Sequence, residues 1–135
     1  MTKLSYISGA LLGLTGVITG AMGAHALEGS LSPDQLDAYE TAVRFQMYHS
    51  LLLLLLGALG SFFGERNSLR FAIVGVLIGT LLFSGSIYLL VLTPFKLGLV
   101  TPIGGSILIL GWAGLVVWAF ERQKDVHWPD WKQDQ

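Results

Sequence analysis

His25, Arg44 and His49 are the residues best able to do chemistry in a chain otherwise dominated by Leu, Ile, Val, Ala and Gly. The stretch "GAMGAHALEGSLSPDQLDAYETAVRFQMYHS" at 20–50 holds both of those histidines and five charged residues. Imidazole titrates near neutral pH, and ionisable groups inside a membrane usually face a cavity or a partner. Three chemistries suit such a pair. Neutral imidazoles can hydrogen-bond between helices, at about 0.6 to 2 kcal/mol per bond. They can also relay a proton or hold a ligand. A metal is the third option: Met22 with His25, and Met47 with His49, supply two thioethers and two imidazoles, which suit Cu(I). Methionine fills core gaps more often than it binds metal, so no metal or cofactor is expected.

The candidate ligand-binding set is His25, Glu40, Arg44, Tyr48, His49, Ser84 and Thr101. Tyr39, Gln46, Ser50, Ser86 and Tyr88 are further polar neighbours. Glu40 and Arg44 stand in the favourable i, i+4 order for an ion pair, although an exposed pair contributes only about 0 to 1 kcal/mol. The blander role for Arg44 is snorkelling to lipid headgroups. The sequence contains no HExxH, no phosphate-binding GxxxxGK[ST], no G-x-S-x-G elbow and no EF-hand loop. Ser84 in "SGS" would need an aligned base to act as a nucleophile, so no catalytic residue is assigned.

The elements that position these residues follow from hydrophobicity. The chain has 135 residues, of which 53% are hydrophobic and 13% charged, against roughly 25% charged in a soluble domain. That length suits one domain. A net charge of −1 leaves no basic footprint for nucleic acid, and the absence of cysteine removes disulfides and thiolate chemistry. Four runs approach the roughly 20 residues needed to cross a bilayer: 4–27, 47–63, 69–92 and 103–120. The first could instead be a signal peptide cleaved at "AHA", but its apolar region exceeds the usual 7 to 15 residues, roughly, of such signals.

The connections are legible too. Ser32-Pro33-Asp34 reads as a helix start, with a hydroxyl cap, Pro in the first turn and an acid beside the helix dipole. "GERNS" at 64–68 reads as a tight turn, and "TPFKLGLVTPIGG" at 93–105 as a longer connection. Leu36, Tyr39, Val43, Met47 and Ser50 form one stripe, so 33–46 is an amphipathic segment. With no Gly or Pro between Pro33 and Leu56, a long helix of about 30 residues is expected, its first half lying on the membrane or projecting from it. Counting depth along it places His25 and His49 within reach of one layer near the outer interface.

Lys3, Arg66, Arg70, Arg122, Lys124 and Lys132 fall on the side of both termini, against Arg44 and Lys96 on the other, which orients the chain N-in and C-in. Trp118 and the tail's Trp128 and Trp131 suit a cytoplasmic interfacial belt, with "HWPDW" in the tail at 121–135 as a surface anchor or, alternatively, a partner motif. Gly9, Gly13, Gly16, Gly20 and Gly23 recur on one helix face. Such stripes let helices approach closely, and the partner is a helix of the same bundle or, alternatively, of a second subunit. Gly57 with Gly60 and Gly64, Gly75 with Gly79, and Gly104 with Gly111 and Gly114 add patches on the other spans.

Four ordered motifs then carry a family resemblance. "GAMGAHAL" at 20–27, "YETAVRFQMYHSLLLL" at 39–54, "LLFSGSIYLLVLT" at 81–93 and "LGLVTPIGGSILILGW" at 97–112 resemble the small membrane proteins of domain-of-unknown-function family 423, related to transmembrane protein 256. The resemblance runs from Ser8 to Phe120 and leaves out the charged tail. It implies a multi-pass protein of the bacterial cytoplasmic membrane with no established activity, and it transfers no catalytic residue. Met22 stands where the family pattern has an aromatic, which weakens the copper reading. The expectation is therefore an all-α, four-transmembrane-helix bundle with an amphipathic extension of its second helix. Its leading role is a non-enzymatic accessory or scaffold protein, packing with itself or a larger membrane complex through its glycine faces. The alternative is binding or transport of a lipid, small molecule, proton or metal near His25, Arg44 and His49.

Overall fold

A computed structural model describes residues 1–95 and 97–123. Lys96, Lys124 and Lys132, and the tail anchor with Trp128 and Trp131, lie outside the described residues. The chain forms four helices: α1 (Thr2–His25), α2 (Pro33–Phe63), α3 (Asn67–Leu92) and α4 (Val100–Gln123). All four are long and apolar enough to cross a membrane.

α2 begins where the sequence signals it. Ser32 accepts from the Gln35 amide at 3.3 Å while the Gln35 side chain accepts from the Ser32 amide at 3.0 Å, a reciprocal cap with Pro33 just inside. The helix then runs 31 residues without a break. Its first half continues the second span and does not stand free: Tyr39, Ala42 and Gln46 are buried, so the extension packs with the rest of the bundle. It ends at Gly64, whose φ of 81° favours glycine. α4 starts earlier than expected, at Val100, so that only the first half of the 93–105 connection is loop. Pro102 is accommodated because the first turn of a helix makes no use of its missing N–H.

Sequence neighbours pack together, whereas the backbones of α1 and α4 do not approach each other among the described residues. The two hairpins, α1–α2 and α3–α4, are each closed by glycines. A Cβ on Gly9 would come within 2.9 Å of the Ser50 carbonyl of α2, and one on Gly23 within 3.0 Å of the Tyr39 ring. The α1 stripe thus faces α2 of its own chain. In the second hairpin a Cβ on Gly75 would lie 2.9 Å from the Gly111 Cα, and one on Gly104 only 2.5 Å from the Phe83 nitrogen. Backbones this close leave no room for a side chain, and in lipid such packing supplies much of the attraction between helices.

The interior is divided by depth. Near the end holding the α2–α3 turn, Leu52, Leu53, Leu56, Leu69, Ile73, Val76 and Trp118 form an apolar core. Trp118 is buried there, 6.3 Å from the Phe63 ring, and so does not face lipid as part of an interfacial belt. Just outside this core the ends are tied by charge. Glu65 accepts from the Met1 ammonium and the Thr2 amide, each at 2.7 Å, and from the Thr2 hydroxyl, and it pairs with Arg70 at 3.1 Å. The ammonium's hydrogen bond, followed by those of Thr2, holds the Glu65 carboxyl well below the usual carboxylate range. Ser68 donates to Glu121 at 2.6 Å, and Arg122 lies 4.8 Å over Phe63. Lys3, Arg66, Arg70 and Arg122 therefore gather at the end opposite Arg44.

Candidate functional site

Toward the other end the interior turns polar. Tyr39 and Gln46 are seven residues apart on α2 and share the face turned to α1. Tyr39 donates its hydroxyl to the Thr19 carbonyl at 2.9 Å. Gln46 donates through Nε2 to the Leu12 carbonyl and to the Thr15 hydroxyl, each at 2.8 Å, and its Oε1 accepts from Tyr88 of α3 at 2.8 Å. The Tyr88 and Thr19 hydroxyls are 3.3 Å apart, and the Tyr39 and Tyr88 rings pack at 5.1 Å. One amide thereby joins three helices. Ser84 donates to the Ala42 carbonyl at 2.9 Å, tying α3 to α2 again. A groove of about 210 Å³ runs past Thr15, Thr19, Gln46, Thr80, Ser84 and Tyr88.

The sequence-selected residues distribute over separate places. Arg44 is half exposed; it donates to the Thr41 hydroxyl at 2.9 Å and pairs with Asp37 at 3.6 Å, and among the described residues its ion-pair partner is Asp37 and not Glu40. Asp37 lies two turns earlier on the same exposed face, about 10 Å along the helix axis, a span that the long Arg side chain can reach. Glu40 and Arg44 line a second groove of about 210 Å³ with Gly20, Gly23, Tyr39 and Val43. Thr101 exchanges a 2.7 Å hydrogen bond with Ser86, joining α3 to α4.

His49 is buried on the opposite side of α2. Its Nδ1 is 2.7 Å from the Phe45 carbonyl, so Nδ1 carries the proton, and its Nε2 accepts from the Trp112 indole at 3.3 Å. Tyr48 is exposed and shares with His49 a third groove, of about 360 Å³, between α2 and α4.

His25 is exposed at the end of α1. The two histidines do not share a layer. A Cβ on Gly13 would sit 3.5 Å from the Ser50 hydroxyl, which levels His49 with Gly13. His25 lies 12 residues farther along α1, about 18 Å at 1.5 Å per residue. The offset arises because α2 continues past Arg44 alongside α1, which carries the outer end of the bundle up to Pro33. Met47 also faces away from His49, its sulfur packing on Gly16 of α1, so the two Met–His pairs do not converge. Residues 19–105, which include Tyr39, Gln46, His49, Ser84 and Tyr88 but not Thr15 or Trp112, match the family model described as Protein of unknown function (DUF423).

The chain belongs to that family. Curated relatives named UPF0382 membrane proteins cover 88% of it. UPF0382 membrane protein SAB0533 of Staphylococcus aureus (strain bovine RF122 / ET3-1) is 44% identical over 122 residues, covering 88% of this chain and 97% of its own. UPF0382 membrane protein SH2409 of Staphylococcus haemolyticus (strain JCSC1435) is 43% identical with the same coverage. UPF0382 membrane protein SSP2132 of Staphylococcus saprophyticus is 43% identical over 88% of this chain and 98% of its own. No solved structure matches the chain.

Thr15 and Thr19 were absent from the sequence-derived set. They stand in an apolar run, where a threonine hydroxyl ordinarily bonds back to its own helix, as Thr15 also does to the Leu11 carbonyl at 2.8 Å. Their i, i+4 spacing, matched to the seven-residue spacing of Tyr39 and Gln46, is the signal that points to a shared face.

Proposed function

We propose that this DUF423 member is a non-enzymatic accessory protein of the bacterial cytoplasmic membrane. Both ends lie in the cytoplasm, and the chain associates with itself or with a larger membrane complex through its lipid-facing surfaces. The observation that carries this reading is the use made of the intramembrane polar groups. Gln46 has both ends of its amide bonded to other helices, Ser84 is engaged with a carbonyl, and His49 has a partner on each nitrogen. Groups bonded in this way fix helices to one another, and none is poised as a nucleophile beside a base. Because the α1 glycines pack on α2, association falls to the outer faces of α1 and α4, where Leu11, Leu14, Val17, Ile109, Val116 and Phe120 are exposed.

Native mass spectrometry of gently extracted protein tests this. A defined oligomer or a stoichiometric protein partner is expected. A chain that leaves the membrane as a lone monomer under every mild extraction overturns the reading.

A further inference from the structure

The groove between α2 and α4 differs from the other two in chemistry, its lining being largely aromatic. α4 packs against α3 and reaches α2 only through side chains, chiefly the Trp112 to His49 contact. The gap this leaves holds about 360 Å³, at the small end of the ligand-pocket range of roughly 300 to 1,000 Å³. Its walls are Phe45, Tyr48, His49, Leu108 and Trp112, with Gly105 beside them. The rings form a continuous surface: Phe45 packs on Phe83 at 4.5 Å and stacks on His49 at 5.8 Å, and His49 meets Trp112 edge-on at 6.4 Å.

Trp112 lies near the midpoint of α4, well away from the interfaces where membrane tryptophans collect. Its indole N–H and the His49 Nε2 are a donor and an acceptor in an otherwise apolar wall, joined by a long 3.3 Å bond. The other imidazole nitrogen is held by the shorter 2.7 Å bond to Phe45, which fixes the ring and its tautomer. Trp112 is half exposed and lines the groove beside His49. A hydroxyl entering there accepts from Trp112 and donates to His49, exchanging one long hydrogen bond for two. An acyl chain offers neither atom, and the ester and headgroup oxygens of a phospholipid stay near the interface.

We infer that the α2–α4 groove binds a lipid-soluble quinol, its ring against Phe45 and Trp112 and one ring hydroxyl between the Trp112 indole and the His49 Nε2. The corresponding quinone keeps the Trp112 bond through its carbonyl but has nothing to donate to His49. The site goes beyond the accessory reading and stands or falls separately from it, since assembly and groove occupancy are measured independently.

The test is equilibrium binding of decylubiquinol, kept reduced, to the full chain in phosphatidylcholine nanodiscs, with empty nanodiscs subtracting simple partition. Saturable binding at one quinol per chain is expected. Trp112→Phe and His49→Phe should each weaken it about threefold, less than the full worth of one neutral hydrogen bond, because each variant also lacks the long Trp112–His49 bond that binding must break. Ile7→Ala, on the lipid face of α1, should leave it unchanged. Decylubiquinone should bind more weakly than the quinol to the unaltered chain, and His49→Phe should erase that preference. Trp112→Phe keeps the test decisive if the histidine variant does not fold. Binding no greater than to empty nanodiscs, binding indifferent to Trp112→Phe, or equal retention of decane would overturn the proposal, the last by making the groove an acyl-chain site.

Discussion

Gln46 shows how much of this interior hangs on single side chains. Gln46→Leu keeps the volume but removes three hydrogen bonds, leaving Tyr88 and Thr15 to find other partners. A stability loss of about 1 to 2 kcal/mol is expected from unfolding in mixed micelles, using the modest value of intramembrane hydrogen bonds. Combined with Tyr88→Phe, the loss should be less than additive, because the two changes delete one shared bond. Glu65 acts at the surface. Its folded pKa lies below its ordinary value, so its contribution is fully present above about pH 4.5 and is lost as pH falls toward the depressed folded value. Unfolding measured between pH 7 and 3 should show an acid-sensitive component that Glu65→Gln removes. The sequence made His49 and Gln46 visible because polar residues in an apolar run are few. It hid Glu65 inside a turn, where a carboxylate has no periodicity to betray its partners, and it hid Thr15 and Thr19 because a threonine in a span is ordinarily satisfied by its own helix.

At the scale of elements, spacing along a helix was more legible than the identity of its partner. The five glycines of α1 announce a close contact by their spacing alone. That the contact is with α2, one turn of chain away, depends on where the amphipathic stripe of α2 finally points. The 33–46 segment illustrates the limit: its amphipathic stripe marks a helix that continues the second span, but not that Tyr39 and Gln46 on that stripe find their partners on α1. The α3–α4 seam gives a direct test. Gly104→Ala places a methyl 2.5 Å from backbone that cannot yield, whereas Gly85 has open space beyond its Cα. Gly104→Ala should destabilise the protein by about 1 to 3 kcal/mol, and Gly85→Ala should be neutral or stabilising by up to about 1 kcal/mol. Similar losses for both variants would mean that the seam is not as tight as described.

For the whole molecule, four successive crossings return the end of α4 to the side of Met1, which agrees with the contacts of Glu65, Ser68 and Arg122 at one end. Which side is cytoplasmic is written only in the distribution of lysine and arginine. The chain has no cysteine, so single replacements report sidedness cleanly. Ser30→Cys should react with a membrane-impermeant maleimide in intact cells, and Asn67→Cys only after the membrane is opened; the reverse pattern would invert the orientation. The separation of α1 from α4 also bears on how the protein is made. Because the major helix contacts join elements adjacent in sequence, the α1–α2 pair can close before α3 has left the ribosome, and α3 then meets a finished surface. Biosynthesis and structure run in the same order here, so nascent chains should have no need to hold an early helix unpaired until a late one arrives.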